Sequence, residues 1–222
     1  MTQREGRLGE SRLEEIQRAG SSAPAEAWRG FWNSVWFPAL VLVLTVAQLA
    51  VAEYVPGIER FADKAFGARL IAYPVMMLFV PLVWWLVQRR RGGTEAPPHL
   101  AFGLIGLPFL VDVTGNSLDL YDTVVWWDDF NHFVNWVFLC LGLALVVAPR
   151  LRPAWVLVSL VTGFGCLLAL GWELGEWYTF IRHGTELDTA YEDTLLDMAL
   201  GTVGSLVAGF LVLRLGRRPA DT

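Results

Sequence analysis

The sequence predicts an all-α membrane protein, a polytopic bundle of six transmembrane helices with its N- and C-termini in the cytoplasm. Three observations carry this reading. The 222-residue chain is 55% hydrophobic with a mean hydropathy of +0.44, above the range of soluble globular domains. Its apolar residues are gathered into six runs of about 20 residues, the length that ~30 Å of hydrocarbon requires. Its tryptophans, among them Trp36, Trp84, Trp85, Trp126, Trp127 and Trp177, stand mostly near the ends of those runs, as an interfacial aromatic belt does.

The elements follow in order. Residues 1–29 are polar and charged, with no apolar stretch near Met1; they predict a cytosolic, flexible tail and no secretory signal peptide. Residues 30–214 form the membrane domain, with spans at 31–53, 69–89, 99–118, 129–149, 154–178 and 191–214. The third is the weakest, because it ends in the polar run D-V-T-G-N-S. Residues 215–222 make a short cytosolic tail. Cys140 and Cys166 both lie within apolar runs, which predicts buried, inert thiols and no disulfide framework.

Orientation comes from the basic residues. With the N-terminus inside, thirteen of the seventeen Lys and Arg residues fall in the two tails and the second and fourth loops. Only Arg60, Lys64, Arg69 and Arg182 fall outside. The positive-inside rule favours this topology. No basic patch carries interleaved aromatics, so nucleic acid is excluded as a partner; the lipid bilayer is the expected one.

In this topology the polar residues within and beside the spans collect at one membrane face, the extracytoplasmic end of spans 3–6. Span 3 carries Asp112, Asn116 and Asp119. Span 4 carries Asp128, His132 and Asn135, with Asp129 one step off that stripe. Span 5 carries Glu173 and Glu176, and span 6 carries Asp193 and Asp197. Spacings of three and four put each set on one helix face. Below Asp197 the same face continues as Gly201, Gly204, Ser205 and Ala208, and below Glu173 as Ala169 and Gly165. Small residues let membrane helices approach closely, so the acidic stripes point into the bundle. Facing lipid, each charge deep in a span would cost ~3 kcal/mol.

Six carboxyls, those of Asp128, Asp129, Glu173, Glu176, Asp193 and Asp197, then share one neighbourhood with His132 and Arg182 as candidate positive partners. Two like charges 4 Å apart repel by ~4 kcal/mol at an effective dielectric of 20. Either some of the carboxyls carry protons or a cation sits among them. One histidine among carboxylates suits Mg, Mn or Ca, and less plainly Zn. Asp128, Asp129, His132, Glu173, Glu176, Asp193 and Asp197 are therefore the candidate metal ligands. His132, Glu173 and Asp197 are the candidates for catalytic work, with Asp112, Asn116 and Asn135 as supporting polar groups.

Structural readings stand beside these. His132 can simply hydrogen-bond within the bundle. Asp128, Asp129 and Asp193 can cap helix N-termini. Glu173 and Glu176 lie at a helix C-terminus, where the macrodipole disfavours acids, so a structural role explains them less well. Asp119, Asp122, Glu186, Asp188 and Glu192 read as solvated loop charges, and His99 and His183 as incidental. No metalloprotease, EF-hand, P-loop, Rossmann or nucleophile-elbow motif is present.

Three segments resemble the YjdF-like inner-membrane proteins of bacteria, a family without an assigned activity. They are Y-D-T-V-V-W-W-D-D-F-N-H-F at 121–133, W-E-L-G-E-W at 172–177 and D-T-L-L-D-M at 193–198, the last followed by a glycine-rich helix. The likeness covers roughly residues 103–210 and implies a six-helix membrane protein. Extra residues separate Tyr121-Asp122 from His132, leaving either Asp122 or Asp129 in the place of the family's aspartate. A thinner similarity links the D-x-x-H-F helix start to VanZ-like membrane proteins. Three functions fit: a cation-binding protein, enzymatic if it acts on lipid or envelope-precursor headgroups; a proton- or cation-coupled transporter; and a structural subunit whose polar cluster only locks its helices.

Overall fold

A computed structural model of the chain describes residues 29–62, 64–179, 181–183 and 190–215. The proposed tail up to residue 28, the end of the chain from 216, Glu186 and Asp188 lie outside the described residues. Six long helices account for most of the fold: α1 (Trp36–Tyr54), α2 (Phe66–Arg91), α3 (His99–Ser117), α4 (Trp127–Val147), α5 (Ala154–Thr179) and α6 (Ala190–Leu215). All six are long and apolar enough to cross a membrane, and no strand occurs among the described residues.

Burial explains why the third span is the least apolar. The α3 window has a mean hydropathy of 1.3 and is 44% buried by its neighbours, whereas α2 has 2.1 and is 11% buried. A helix wrapped by protein can carry polar groups; one wrapped by lipid cannot. α2 accordingly shows Ile71, Val75 and Phe79 on its exposed side and carries its polar residues at its ends. It stops at Gly92, whose left-handed backbone (φ 61°) returns its N–H to the carbonyls of Gln88 and Arg89.

Two halves make the bundle. In the first, α1 packs on α2 and α3 around Leu49, Tyr73 and Val113, with Phe37, Val41 and Met77 nearer the other end. In the second, α6 packs on α4 and α5 around Cys140, Ala144, Val161, Ala208 and Val212. The halves meet where α3 lies against α4. Glycines allow close approach both between and within the halves: a Cβ added at Gly142 of α4 would lie 2.7 Å from the Ala101 carbonyl of α3, and within the second half one at Gly204 of α6 would lie 2.6 Å from the Phe133 carbonyl of α4. A backbone atom cannot swing aside as a side chain can. Gly204→Ala is therefore expected to cost about 1–3 kcal/mol through overpacking, read as a lower thermal midpoint of the purified protein in detergent. Both cysteines are free; Cys140 sits 3.2 Å from Ser205 Oγ and Cys166 3.3 Å from Thr202 Oγ1.

A single helical turn, Leu120–Thr123, separates α3 from α4. Asp119 before it takes a left-handed backbone (φ 62°), a region that aspartate tolerates better than most residues. This kink swings Tyr121 back toward α3. Lys64, in the connection between α1 and α2, holds the kink from outside, with its Nζ 3.1 Å from Asp119 and 2.6 Å from Asp122. The hydrogen bond from Lys64 holds the Asp122 carboxyl below its ordinary value. Burial alone would lower Lys64, but the hydrogen bonds and charges of Asp122 and Asp119 outweigh it and raise the ammonium above its ordinary value. The depressed acid stabilises above the ordinary carboxylate range and loses that contribution as pH falls through its folded value. The raised base stabilises below the ordinary lysine range and loses its contribution as pH rises through its own folded value. Asp122 is largely exposed, so Lys64→Gln is expected to cost under about 1 kcal/mol. That cost should be flat between about pH 5 and pH 9 and fade in acid, as pH-resolved thermal unfolding will read.

Candidate functional site

The ends of α3 and α5 and the starts of α2, α4 and α6 enclose a pocket of about 620 Å³. Two polar centres share it.

The first is built around His132. On α4, Asp128 stands one turn before it, and its Oδ1 lies 3.6 Å from His132 Nε2. On the other edge of the ring, Nδ1 faces Asp197 Oδ1 of α6 at 3.6 Å and Glu173 Oε1 of α5 at 4.0 Å. His132, Glu173 and Asp197 are 9%, 5% and 3% exposed, so three helices bring their polar groups together out of solvent. These separations are longer than hydrogen bonds. Asp197 Oδ1, fully enclosed, has no hydrogen-bond partner among the described residues. One ligand atom each from Asp128, His132 and Asp197 lies within 4.8 Å of the others, and so does one each from His132, Glu173 and Glu176. Ligand atoms this far apart leave room for an ion at the 2.0–2.6 Å bond lengths of Zn, Mg or Ca.

The second centre is built around Asp112 of α3. Its carboxylate accepts from Arg69 Nη1 at 2.7 Å, from Tyr121 Oη at 2.9 Å, from Asn116 Nδ2 at 3.2 Å and from Tyr73 Oη. Tyr121 in turn accepts from Asn131 Nδ2, and Asn131 Oδ1 accepts from Asn135 Nδ2 at 2.7 Å. Burial, and then the Asp112 carboxylate, push the Tyr121 phenol above its ordinary pKa, so it stays a donor. The chain of hydrogen bonds ends at Asn135 Oδ1, a second enclosed acceptor without a partner. Asn131 and Asn135 flank His132 on α4, so this network fixes the face from which His132 projects.

The sequence-predicted residues divide as follows. Asp128, His132, Glu173, Glu176 and Asp197 come together, and Asp193 stands exposed at the rim of the same pocket. Asp129 is exposed and does not line the pocket, because one residue turns the helix by about 100°. Asp112, Asn116 and Asn135 line it, with Asp112 already paired. Asp119 and Asp122, expected as solvated charges, are bound by Lys64, while Glu192 is exposed. His99 opens α3 with its ring against Phe102. Arg182, expected as a positive partner, stacks on Tyr178 with Cζ 3.7 Å from the ring centre.

Arg69 is the guanidinium that faces the pocket, and sequence reasoning had assigned it to a loop charge count. Tyr73, Tyr121 and Asn131 were also missed. The available signal was the Arg69–Tyr73 spacing of one helical turn at a span start, opposite an aspartate that needed a partner.

This fold and pocket define a polytopic α-helical membrane protein with a buried histidine–carboxylate centre that can hold a metal ion. Residues 37–218 match the family described as predicted membrane protein (DUF2238). The chain belongs to that family. No curated protein and no solved structure matches it.

Proposed function

We propose that this protein binds a divalent cation, Mg, Mn, Ca or Zn, at the extracytoplasmic end of its bundle in a bacterial inner membrane, with both termini cytoplasmic, and acts there on lipid or envelope-precursor headgroups. Asp197 carries the reading: an acid oxygen that is fully enclosed, lacks a hydrogen bond, and faces a histidine and further carboxylates at distances that fit an ion better than they fit direct contact. An unsatisfied buried acceptor is costly, and a cation shared with Asp128 and His132 removes that cost. Glu173 and Glu176, grouped with the same histidine, and the outer Asp193 and Asp129 raise the local cation concentration. A bound ion would supply Lewis-acid polarisation of water or of a headgroup oxygen, and of His132, Glu173 and Asp197 the group not ligating it would take the proton.

The segments that carry the likeness to YjdF-like proteins supply Tyr121, Asp128, His132, Trp172, Glu176, Asp193 and Asp197 to the pocket lining. A transporter fits less well, because Cys140, Leu141, Ala144, Val161 and Val212 pack tightly beneath the centre. A purely structural cluster fits less well, because its acceptors would then be paired. Elemental analysis of protein purified without chelator, followed by Mn²⁺ titration of EDTA-stripped protein, tests the reading. A stoichiometric divalent ion that rebinds saturably supports it, and neither metal nor saturable binding overturns it.

A further inference from the structure

The pocket is far deeper than an ion needs. Its polar lining ends near Asn135, and beyond that it continues along Phe109, Leu139, Leu167 and Leu168. From Asp128 to Leu139 is eleven residues of α4, or ~16 Å at 1.5 Å per residue, about half of a hydrocarbon core. It is also open sideways. Met76 on α2 and Leu167 on α5 both line it and are 38% and 66% exposed, so protein does not cover the wall there among the described residues. α2 packs on α1 and α3, and α5 on α6 and α4, with little packing between α2 and α5, so these two helices frame a gap. Gly171, on α5 at the edge of that gap, has no atom within 4 Å of where a Cβ would stand. A slot with a polar head, an apolar foot and a flank open to the bilayer has the shape of one membrane amphiphile.

We propose that this slot takes a phospholipid sideways from the membrane, one acyl chain lying between α2 and α5 against Leu139 and Leu168 and the phosphate reaching the His132–Asp197 centre. The phosphate part rests on the cation reading above. Asp112 already neutralises Arg69, and the remaining lining charges, Asp128, Glu176, Asp193 and Asp197, are acidic. An anionic headgroup is admitted only when a divalent ion stands between it and those carboxylates.

The test uses the full chain in phosphatidylcholine nanodiscs doped with a phosphatidylglycerol carrying a diazirine midway along one chain, or with the matching diacylglycerol. Crosslinked positions are mapped by mass spectrometry, and Mn²⁺ binding is measured in parallel by electron paramagnetic resonance. With Mn²⁺ present, the phosphatidylglycerol probe should label Leu139 and Leu168, EDTA should remove that label, and the diacylglycerol should label them weakly whether or not EDTA is added. Gly171→Phe, and independently Leu167→Trp, should lower the slot label roughly tenfold, since excluding about two methylenes is enough for that, with Mn²⁺ binding unchanged. Labelling confined to outward residues such as Phe79 and Phe164, indifferent to both variants, overturns the slot while a normal Mn²⁺ titration leaves the cation site standing. Slot labelling in a protein that binds no Mn²⁺ overturns the phosphate–cation part and the reading beneath it.

Discussion

Asp197→Asn removes the stabilisation that a divalent ion confers on the stripped protein. With Mn²⁺ at about 100 times its Kd, the wild-type thermal midpoint should rise by the equivalent of about 2.7 kcal/mol; in the variant the rise should fall to about 0.4 kcal/mol or less, because affinity falls by about 100-fold or more. Loss of an outer partner alone costs 10–100-fold, and Asp197 is a direct ligand in the reading proposed here. The amide keeps the volume of the acid, so packing around the side chain is undisturbed. It also removes one negative charge from a site where Asp128 lies close by. The metal-free variant should therefore be at least as stable as the metal-free wild type. This pairing of outcomes separates a cation site from a structural cluster. If Mn²⁺ stabilises Asp197→Asn as much as the wild type, the acid is not a ligand and the cation proposal falls.

The second large effect is at Arg69. Arg69→Met should destabilise the bundle by about 3–5 kcal/mol, the loss found when one member of a buried ion pair is removed. Asp112 is 14% exposed and Arg69 20%, so neither has enough water to replace the other. The carboxylate would keep Tyr73, Tyr121 and Asn116 as neutral donors, which holds the loss toward the lower end. Asp112→Asn added to Arg69→Met should recover most of it. The charge is then gone while the amide oxygen still accepts from the tyrosines, whereas Asp112→Leu would leave those hydroxyls without an acceptor. A double-mutant cycle in detergent, followed by tryptophan fluorescence, measures the coupling. Additive losses would show that the pair does not hold α2 to α3. The same variants bear on His132, because the network from Asp112 through Tyr121 and Asn131 ends at Asn135. Arg69→Met should weaken Mn²⁺ binding without touching a ligand, and the double variant should restore it in part.

How far the centre was legible can be read from individual residues. Asp128 and His132, four apart on a helix start, had to share a face, and both line the pocket. Asp197, one turn into a span and above Gly201, Gly204, Ser205 and Ala208, had to point where that small-residue face packs. It is 3% exposed there. Asp129 shows the limit: one position from Asp128, it carries the same charge in the same run, yet helix rotation puts it on the exposed side. Arg69 shows another. As a basic residue near a span boundary it read as a topology signal, and nothing along the chain joins it to Asp112, 43 positions later.

Six membrane-length helices, with acids and a histidine toward one end, are legible along the chain alone, since span length, hydropathy and helical spacing are local properties written in consecutive residues. The tertiary structure alone decided which polar groups satisfy one another and which are left open. It paired Arg69 with Asp112, carried Tyr121 back to α3 on a single kinked turn, and left Asp197 and Asn135 each with an acceptor unfilled among the described residues. Those outcomes depend on how each helix is rotated and how closely glycine faces let it approach its neighbours. Rotation and approach are set by the whole packed bundle, which no single segment specifies.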